Sequence, residues 1–181
     1  MDTDRLHVLT GGPGSGKTTL IEALARAGVA TSPEVGRAVI REQLTIGGQA
    51  LPWADREGFA EAMVGREVAA HQAALASGAV TVLDRGVPDV VGFLRVCRLP
   101  VPSPIDVAAR TCRYNPRIFI APFWAEIFTG DAERKQTPEE AEATFAVMVE
   151  TYRDYGYDLV ELPRLPVADR VRFVRESIAA A

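Results

Sequence analysis

One short segment near the amino end constrains the fold of this chain more than any other. Residues 11–18 read Gly-Gly-Pro-Gly-Ser-Gly-Lys-Thr and match the pattern G-x-x-x-x-G-K-[ST]. The segment follows an apolar run at 5–10 and precedes residues 17–27, where apolar side chains recur at helical spacing. A glycine-rich bend between a strand and a helix lets backbone N–H groups converge on phosphate oxygens at the positive end of the helix. The sequence therefore predicts a phosphate loop at residues 11–18.

The side chains of the phosphate loop predict separate roles toward a nucleotide. Lys17 is expected to reach the β and γ phosphates as a point charge, and the Thr18 hydroxyl to take a coordination position on Mg²⁺. Thr19 is expected on the helix surface or beside the sugar. ATP, as nucleotide substrate, and Mg²⁺ are thus the expected ligands. The residues assigned to nucleotide binding are Gly12, Pro13, Gly14, Ser15, Gly16, Lys17, Thr18 and Thr19.

The remaining apolar runs predict the fold class. They lie at residues 79–83, 117–121 and 158–162, and helical stretches separate them. Strands that are apolar throughout, alternating with helices, are typical of a parallel sheet covered on both faces. The expected helices span 34–44, 54–77 and 138–155. The sequence therefore predicts an α/β fold.

Two of these helices carry more detailed expectations. In helix 54–77 the apolar face is expected to hold Val64, Val68, His71 and Leu75. Helix 138–155 is expected to begin with a capping box, with Thr137 as N-cap, Pro138 in the first turn and Glu140 as the reciprocal partner. Gly156 is expected just past its end.

Composition limits the number of domains and the class of partner. The chain has 181 residues, of which 48% are apolar and 24% charged, so we expect one domain spanning 1–181. Its 20 basic and 24 acidic residues give a net charge of −4 without a basic block, which disfavours nucleic acid as a partner. Neither a membrane span nor a signal segment is evident, so we expect a cytoplasmic protein with no membrane partner. The sequence leaves the oligomeric state open.

Residues at the end of a predicted strand extend the expected site. In a parallel sheet, ligands bind beyond the carboxyl ends of the strands, and Asp84 and Arg85 follow the run 79–83. Asp84 is expected to face the metal or its waters, or alternatively to cap a turn. Arg85 is expected to contact the transferring phosphoryl group with its planar fork, or alternatively to form a structural ion pair.

These residues resemble the P-loop kinases, in which an Asp-Arg pair follows the strand after the phosphate loop, as in thymidylate and deoxyribonucleoside kinases. Over nearly its full length the chain is also similar to a bacterial group of predicted ATPases with a kinase-like AAA domain. The segments that carry this resemblance are residues 9–19, 33–37, 84–89, 113–115, 121–128 and 131–136.

The resemblance implies a fold and further site residues. It implies a three-layer α/β/α P-loop NTPase fold, with a five-stranded parallel sheet in the order 2-3-1-4-5 and a LID over the phosphates at about 123–137. Glu34 matches the acidic residue that these kinases place after the second strand, near the acceptor hydroxyl. It is expected to act as a base, or alternatively as a carboxylate in the first turn of a helix. Arg37 would contact the acceptor or its phosphate.

The LID-like segment contributes one more candidate catalytic residue. Arg134 lies between the apolar run 117–121 and the capped helix that begins at Pro138, and Gly130 is the expected hinge. A mobile cover carrying Arg134 would neutralise charge on a phosphoryl group in transit, and the alternative is a solvated charged loop.

Together these residues predict a kinase that transfers the γ-phosphoryl group of Mg-ATP to a small-molecule acceptor. The expected catalytic residues are Lys17, Glu34, Asp84, Arg85 and Arg134, with Arg37 and Arg85 binding the acceptor and with Thr18 and Asp84 on the metal. The alternative is a nucleotide-binding regulator or slow ATPase without a small-molecule acceptor.

Overall fold

The computed structural model describes residues 3–128 and 137–180, and in them strands alternate with helices. The strands are β1 (Leu6–Gly11), β2 (Ala30–Ser32), β3 (Thr81–Asp84), β4 (Arg117–Ala121) and β5 (Asp158–Glu161). The helices are α1 (Lys17–Arg26), α2 (Val35–Ile46), α3 (Arg56–Ser77), α4 (Val87–Val96), α5 (Ser103–Thr111), α6 (Pro138–Asp154) and α7 (Val167–Ala179), and a 3₁₀ turn covers Ala125–Ile127.

The five strands form one parallel sheet in the order β2-β3-β1-β4-β5, which confirms the expected order. Helices α1 and α7 pack together on one face, and α3 to α6 pack on the other, which confirms the three layers. Because both faces are covered, every residue of β1 is buried, including the polar side chains of His7 and Thr10. The central position of β1 places the phosphate loop in the middle of the carboxyl edge of the sheet.

Strand β2 was implied by the resemblance alone, because no sequence pattern indicates it. It has three residues, Ala-Thr-Ser, which are partly or largely exposed, and among the described strands it is an edge strand that pairs with β3. So short an edge strand contains no apolar run. Its role is to deliver Glu34 and the start of α2 to the carboxyl edge.

The predicted apolar face of α3 is confirmed at His71, which is buried, while its other members lie at the edge of the buried face and pack partly against the core. Val64 and Val68 are only partly buried, whereas the buried side chains are Phe59, Ala60, Met63, Glu67, His71 and Ala74. Helix α3 packs against α2, α4 and α5, so its buried surface is set by three neighbours. One of the buried side chains is a glutamate, which an apolar pattern cannot reveal.

The start of α6 confirms the predicted capping box. The Thr137 hydroxyl accepts a hydrogen bond from the N–H of Glu140 at 3.3 Å, and the Glu140 carboxylate accepts one from the N–H of Thr137 at 2.8 Å. Pro138 occupies the first turn, and Gly156 follows the helix with a φ of 77°. In residues 3–128 and 137–180, none of the helices has the length and apolarity needed to cross a membrane.

Candidate functional site

The phosphate loop joins β1 to α1 in a conformation that requires glycine. Gly14 has a φ of 69° and Gly16 a φ of 77°, a region that other L residues rarely adopt. A side chain on Gly14 would also overlap the ring of Phe128, and one on Gly16 would meet the guanidinium of Arg170. Gly16 is the N-cap of α1, so the free N–H groups of the first helical turn face the loop.

The ammonium group of Lys17 forms hydrogen bonds with polar atoms of the phosphate loop itself. The Lys17 ammonium donates to the carbonyl of Gly12 at 2.5 Å and to the hydroxyl of Ser15 at 3.2 Å, and only 6% of the residue is exposed. The Ser15 hydroxyl donates to the same Gly12 carbonyl at 2.8 Å. The ammonium charge is therefore fixed within the bend that is predicted to receive phosphates.

A cavity of about 560 Å³ opens along the phosphate loop. Its size is within the range of ordinary small-molecule sites. Residues 13–19 line it, so all the predicted nucleotide-binding residues except Gly12 face it; a side chain on Gly12 would meet the carbonyl oxygen of Ala141. The other lining residues are Glu34, Arg37, Arg85, Trp124, Ile127, Leu165, Pro166, Val167 and Arg170.

Glu34 lies between two arginines at one end of this cavity. Its carboxylate accepts a hydrogen bond from Nε of Arg37 at 2.8 Å and lies 3.5 Å from Nε of Arg85. Glu34 occupies the N-cap position of α2, but its side chain makes no capping hydrogen bond to that helix. The structure therefore brings all three predicted residues of the acceptor side together at the carboxyl edge.

Arg85 follows β3 with a backbone φ of 78°, which is unusual for a residue other than glycine. Its Nη1 donates to the carbonyl of Gly11 at 3.2 Å and to the carboxylate of Asp89 at 2.9 Å. Burial opposes the charge, but the carboxylates of Asp89 and Glu34 raise the pKa of Arg85 above its usual range. Arg85 thus lines the cavity and also forms the ion pair with Asp89 that the sequence left as an alternative; its contact with a phosphoryl group stays a prediction.

Asp89 is the buried acceptor that fixes Arg85, and the sequence analysis gave it no role. One oxygen accepts from Arg85 and from the Thr10 hydroxyl at 2.6 Å. The other accepts from the N–H of Gly86 at 3.0 Å and from the Tyr152 hydroxyl at 2.5 Å. The carboxylate is 5% exposed and receives four hydrogen bonds from β1, the turn after β3 and α6. Its donors lie far apart in sequence, so no local pattern indicates them.

Asp84 ends β3 beside Leu9 of the central strand and is 3% exposed. Burial raises the pKa of Asp84 to about 6, against the lowering effect of Arg85 and Lys17. Its Oδ1 is buried and has no hydrogen-bond partner among residues 3–128 and 137–180. Asp84 does not itself line the cavity.

These features fit a magnesium ion carried by a nucleotide. A carboxylate oxygen without a partner, on Asp84, and the Thr18 hydroxyl at the cavity wall are the kind of oxygen donors that Mg²⁺ prefers. In the described part of the chain, no group of three or more His, Cys, Asp or Glu residues is arranged to hold a metal.

Glu67 is a second buried carboxyl group that sequence reasoning missed. It lies on α3 and is 3% exposed. Burial, and then the nearby charge of Asp89, raise its pKa well above the usual range, with Arg85 acting in the opposite direction. Glu67 therefore extends the cluster of buried ionisable groups around Arg85 into the helical layer. The signal that points to it is a glutamate at the spacing of the buried residues Met63 and His71.

Other predicted positions have different outcomes. Arg134 and most of the LID-like segment 123–137 lie outside the described residues, so the role of Arg134 stays a prediction. Arg113 donates to the carbonyl of Tyr155, and Arg117 donates to the carbonyl of Ser177. His71 is buried and its Nε2 lies 2.8 Å from the carbonyl of Arg113, as expected for a structural histidine.

The sheet order and the phosphate loop at the end of its central strand are those of a P-loop NTPase of the nucleotide-kinase-like branch. A family model described as an AAA domain matches residues 6–170. The chain belongs to this AAA-domain family. A search of curated proteins finds no match.

Solved structures share the fold at low sequence identity. A NadR protein in complex with NR is 17% identical with a TM-score of 0.72, over 98% of this chain and 52% of that chain. Deoxyadenosine kinase from M. mycoides, with products dCMP and dCDP bound, is 14% identical with a TM-score of 0.65, over 97% of this chain and 100% of that chain. Shikimate kinase from Acinetobacter baumannii in complex with shikimate is 16% identical with a TM-score of 0.58, over 97% of this chain and 93% of that chain. The chain thus spans about half of the NadR chain.

Proposed function

We propose that this protein is a kinase that transfers the γ-phosphoryl group of Mg-ATP to a hydroxyl or phosphate oxygen of a small-molecule acceptor. The observation that carries the proposal is a second charged cluster, Glu34 with Arg37 and Arg85, in the same cavity as the phosphate loop. A protein that only binds a nucleotide has no need of that cluster, whereas a kinase must place an acceptor opposite the phosphates.

The charge of the cavity supports phosphate chemistry. Its charged lining residues are the carboxylate of Glu34 and four cations, Lys17, Arg37, Arg85 and Arg170, although the whole chain carries a net charge of −4. A concave site with an excess of positive charge attracts anionic ligands. Phosphoryl transfer also depends mainly on positioning and on cations around the moving group, with little covalent work for the protein.

Each residue then has a role in the transfer. Lys17 and the loop N–H groups bind the β and γ phosphates. Thr18 and Asp84 would hold Mg²⁺, which would supply positive charge to those phosphates. Glu34 accepts a hydrogen bond from an acceptor hydroxyl and orients it toward the γ phosphorus. Arg37 binds an anionic or polar group of the acceptor, and Arg85 contacts the transferred group.

The transfer breaks the bond between the γ phosphorus and its bridging oxygen, releases ADP, and forms a new bond between phosphorus and the acceptor oxygen. The proton of the acceptor hydroxyl passes to Glu34 and then to solvent. Arg134, on the sequence argument alone, is proposed to cover the phosphoryl group during this step.

The similar structures guide the choice of acceptors to test. They hold NR, shikimate and deoxynucleotides, and these support a small molecule as the acceptor. A first panel should therefore contain nucleosides, nucleotides and hydroxylated carboxylic acids, with sugars and amino alcohols as further classes.

The proposal is tested by incubating the protein with Mg-ATP and each acceptor, measuring ADP release and identifying the phosphorylated product by mass spectrometry. We expect at least one acceptor to accelerate ADP release and to gain one phosphoryl group. With that acceptor, Glu34→Gln should lower kcat, and Arg37→Ala should mainly raise KM. ADP release that no member of the panel stimulates would instead support the nucleotide-binding regulator or slow ATPase.

A matched control comes from α1. Arg26 is an exposed arginine whose ion-pair partner among residues 3–128 and 137–180 is Glu22 on the same helix, at 4.0 Å. Arg26→Ala should leave both kcat and KM unchanged. If Arg26→Ala raised KM as much as Arg37→Ala, the effect would reflect general surface charge, and the assignment of Arg37 would be wrong.

A further inference from the structure

Arg170 is the largest fully buried side chain in the described part of the chain. It lies in the first turns of α7 and is 2% exposed. Its guanidinium donates to one acceptor, the carbonyl of Ser15, through Nη1 at 3.4 Å and Nη2 at 3.3 Å. Its Nε has no hydrogen-bond partner among residues 3–128 and 137–180, and no described carboxylate forms an ion pair with it. The nearby Asp169 pairs with Arg172 instead.

This placement is unfavourable for the folded protein alone. A buried charge needs an opposite charge and a full set of hydrogen bonds, and a buried guanidinium facing only one carbonyl has neither. The positive end of α7, on which Arg170 lies, adds to the repulsion, as does the start of α1 at Gly16. Burial accordingly lowers the pKa of Arg170.

The guanidinium is at the phosphate loop. Its Nη1 lies 2.9 Å from the point where a side chain on Gly16 would begin, and Arg170 lines the cavity. Lys17 contacts the hydroxyl of Ser15 while Arg170 contacts the carbonyl of Ser15. Two cations from opposite ends of the chain therefore meet at one residue of the loop.

The hydrogen bonds from Arg170 to Ser15 also affect the next backbone N–H group of the loop. The carbonyl of Ser15 and the N–H of Gly16 belong to the same peptide group. When the Arg170 cation donates to this carbonyl oxygen, it polarises the peptide group and makes the N–H of Gly16 a stronger hydrogen-bond donor. The N–H of Gly16 is one of those that open α1 toward the cavity.

We propose that Arg170 is a second cation of the nucleotide site, whose buried charge attracts and orients the phosphate chain from the wall formed by α7. The phosphates supply the negative charge that the folded protein does not provide to Arg170. This inference rests on the proposed nucleotide binding, but not on transfer to an acceptor.

The test compares Arg170→Met, Arg170→Gln and Arg170→Lys with the parent protein. Thermal unfolding is followed without ligand and with tripolyphosphate, ATP, ADP or adenosine, and dissociation constants are measured by calorimetry. We expect the Met and Gln variants to unfold at or above the parent temperature without ligand. They should bind ATP and tripolyphosphate at least about tenfold more weakly, since a charge-assisted contact is lost. Binding of adenosine should not change, and Arg170→Lys should recover part of the phosphate affinity.

Arg172→Met is the matched control, because Arg172 lies on the same helix, is exposed and pairs with Asp169 at 2.6 Å. It should behave like the parent protein in every measurement. A purely structural Arg170 would give the opposite result in the Met and Gln variants: loss of folding or a lower unfolding temperature without ligand, with unchanged ATP affinity in any protein that folds. Equal losses for adenosine and ATP would also overturn the inference, because the effect would then not depend on phosphate.

Different experimental outcomes would refute the role of Arg170 and the kinase proposal. If Arg170→Met binds tripolyphosphate as tightly as the parent protein while acceptor phosphorylation continues, the role of Arg170 is refuted and the kinase proposal stands. If phosphate affinity falls as expected but no acceptor is ever phosphorylated, the kinase proposal fails and the second cation stands. A parent protein that binds neither ATP nor tripolyphosphate would refute both.

Discussion

Replacing Asp89 with Asn isolates the contribution of the buried carboxylate that fixes Arg85. The change keeps the shape of the side chain but removes its charge and turns one oxygen into an NH₂ group. In either orientation, that NH₂ faces a donor that cannot become an acceptor, namely Nη1 of Arg85 or the N–H of Gly86. The hydroxyls of Thr10 and Tyr152 can rotate and accept instead.

The magnitude follows from these contacts. Loss of one hydrogen bond to a charged acceptor costs about 1.5–3 kcal/mol. Arg85 would also lose its closest ion-pair partner and keep the weaker contact with Glu34 at 3.5 Å, and breaking a buried ion pair costs about 3–5 kcal/mol in all. We therefore expect Asp89→Asn to lower the free energy of unfolding by about 3–5 kcal/mol. At about 2–4 °C per kcal/mol for a chain of this size, the unfolding temperature should fall by about 10 °C.

Urea unfolding followed by circular dichroism measures the effect, with Asp154→Asn as the control. Asp154 also accepts from an arginine, Arg95 at 2.7 Å, but its side chain is 58% exposed, so its loss should cost about 0–1 kcal/mol. A loss below about 1 kcal/mol for Asp89→Asn, or equal losses for the two variants, would refute the reasoning, because the cost is assigned to burial.

Three further predictions concern the site. Lys17→Ala should abolish tight binding of Mg-ATP in calorimetry, because the ammonium at the loop is removed, and unchanged affinity would contradict the phosphate-loop assignment. Asp84→Asn should remove the gain in ATP affinity that Mg²⁺ gives, while metal-free ATP binding persists; a variant that still responds to Mg²⁺ would refute the metal role. Glu67→Gln should gain stability relative to the parent as pH rises from 5 to 8. Because the pKa of Glu67 is raised in the folded protein, the folded state binds a proton more readily than the unfolded state, and this favours folding of the parent at low pH. The contribution is lost as pH rises, and the Gln variant, which has no such proton, does not lose it. Parallel pH profiles of unfolding would contradict this.

The sequence predicted the parts of the site that depend on local chemistry. The phosphate loop is contiguous, and its glycines are explained by the positive φ angles of Gly14 and Gly16. Asp84 and Arg85 were found because they follow an apolar run, and the carboxyl ends of parallel strands share one edge. The capping box of α6 was found because its partners lie three residues apart. Glu34 required the family resemblance, since the three-residue strand before it has no apolar pattern.

The residues that the sequence did not indicate act through contacts between distant segments. Asp89 receives donors from β1 and α6, 79 and 63 positions away along the chain. Arg170 contacts Ser15 across 155 positions. Neither contact leaves a periodicity or a spacing in the chain, because each depends on how α6 and α7 pack against the sheet.

The sequence by itself thus determined that the chain forms an α/β fold with a phosphate-binding bend, because strand pattern, glycine conformation and helix capping are local properties of a few consecutive residues. Only the tertiary structure decided which charges are neutralised and which are not. Packing removes water from Arg85, Asp89, Glu67 and Arg170 alike, and the balance of charge then depends on the partners that the fold brings within hydrogen-bond distance. Asp89 receives a complete set of donors, whereas Arg170 faces one carbonyl beside the cavity.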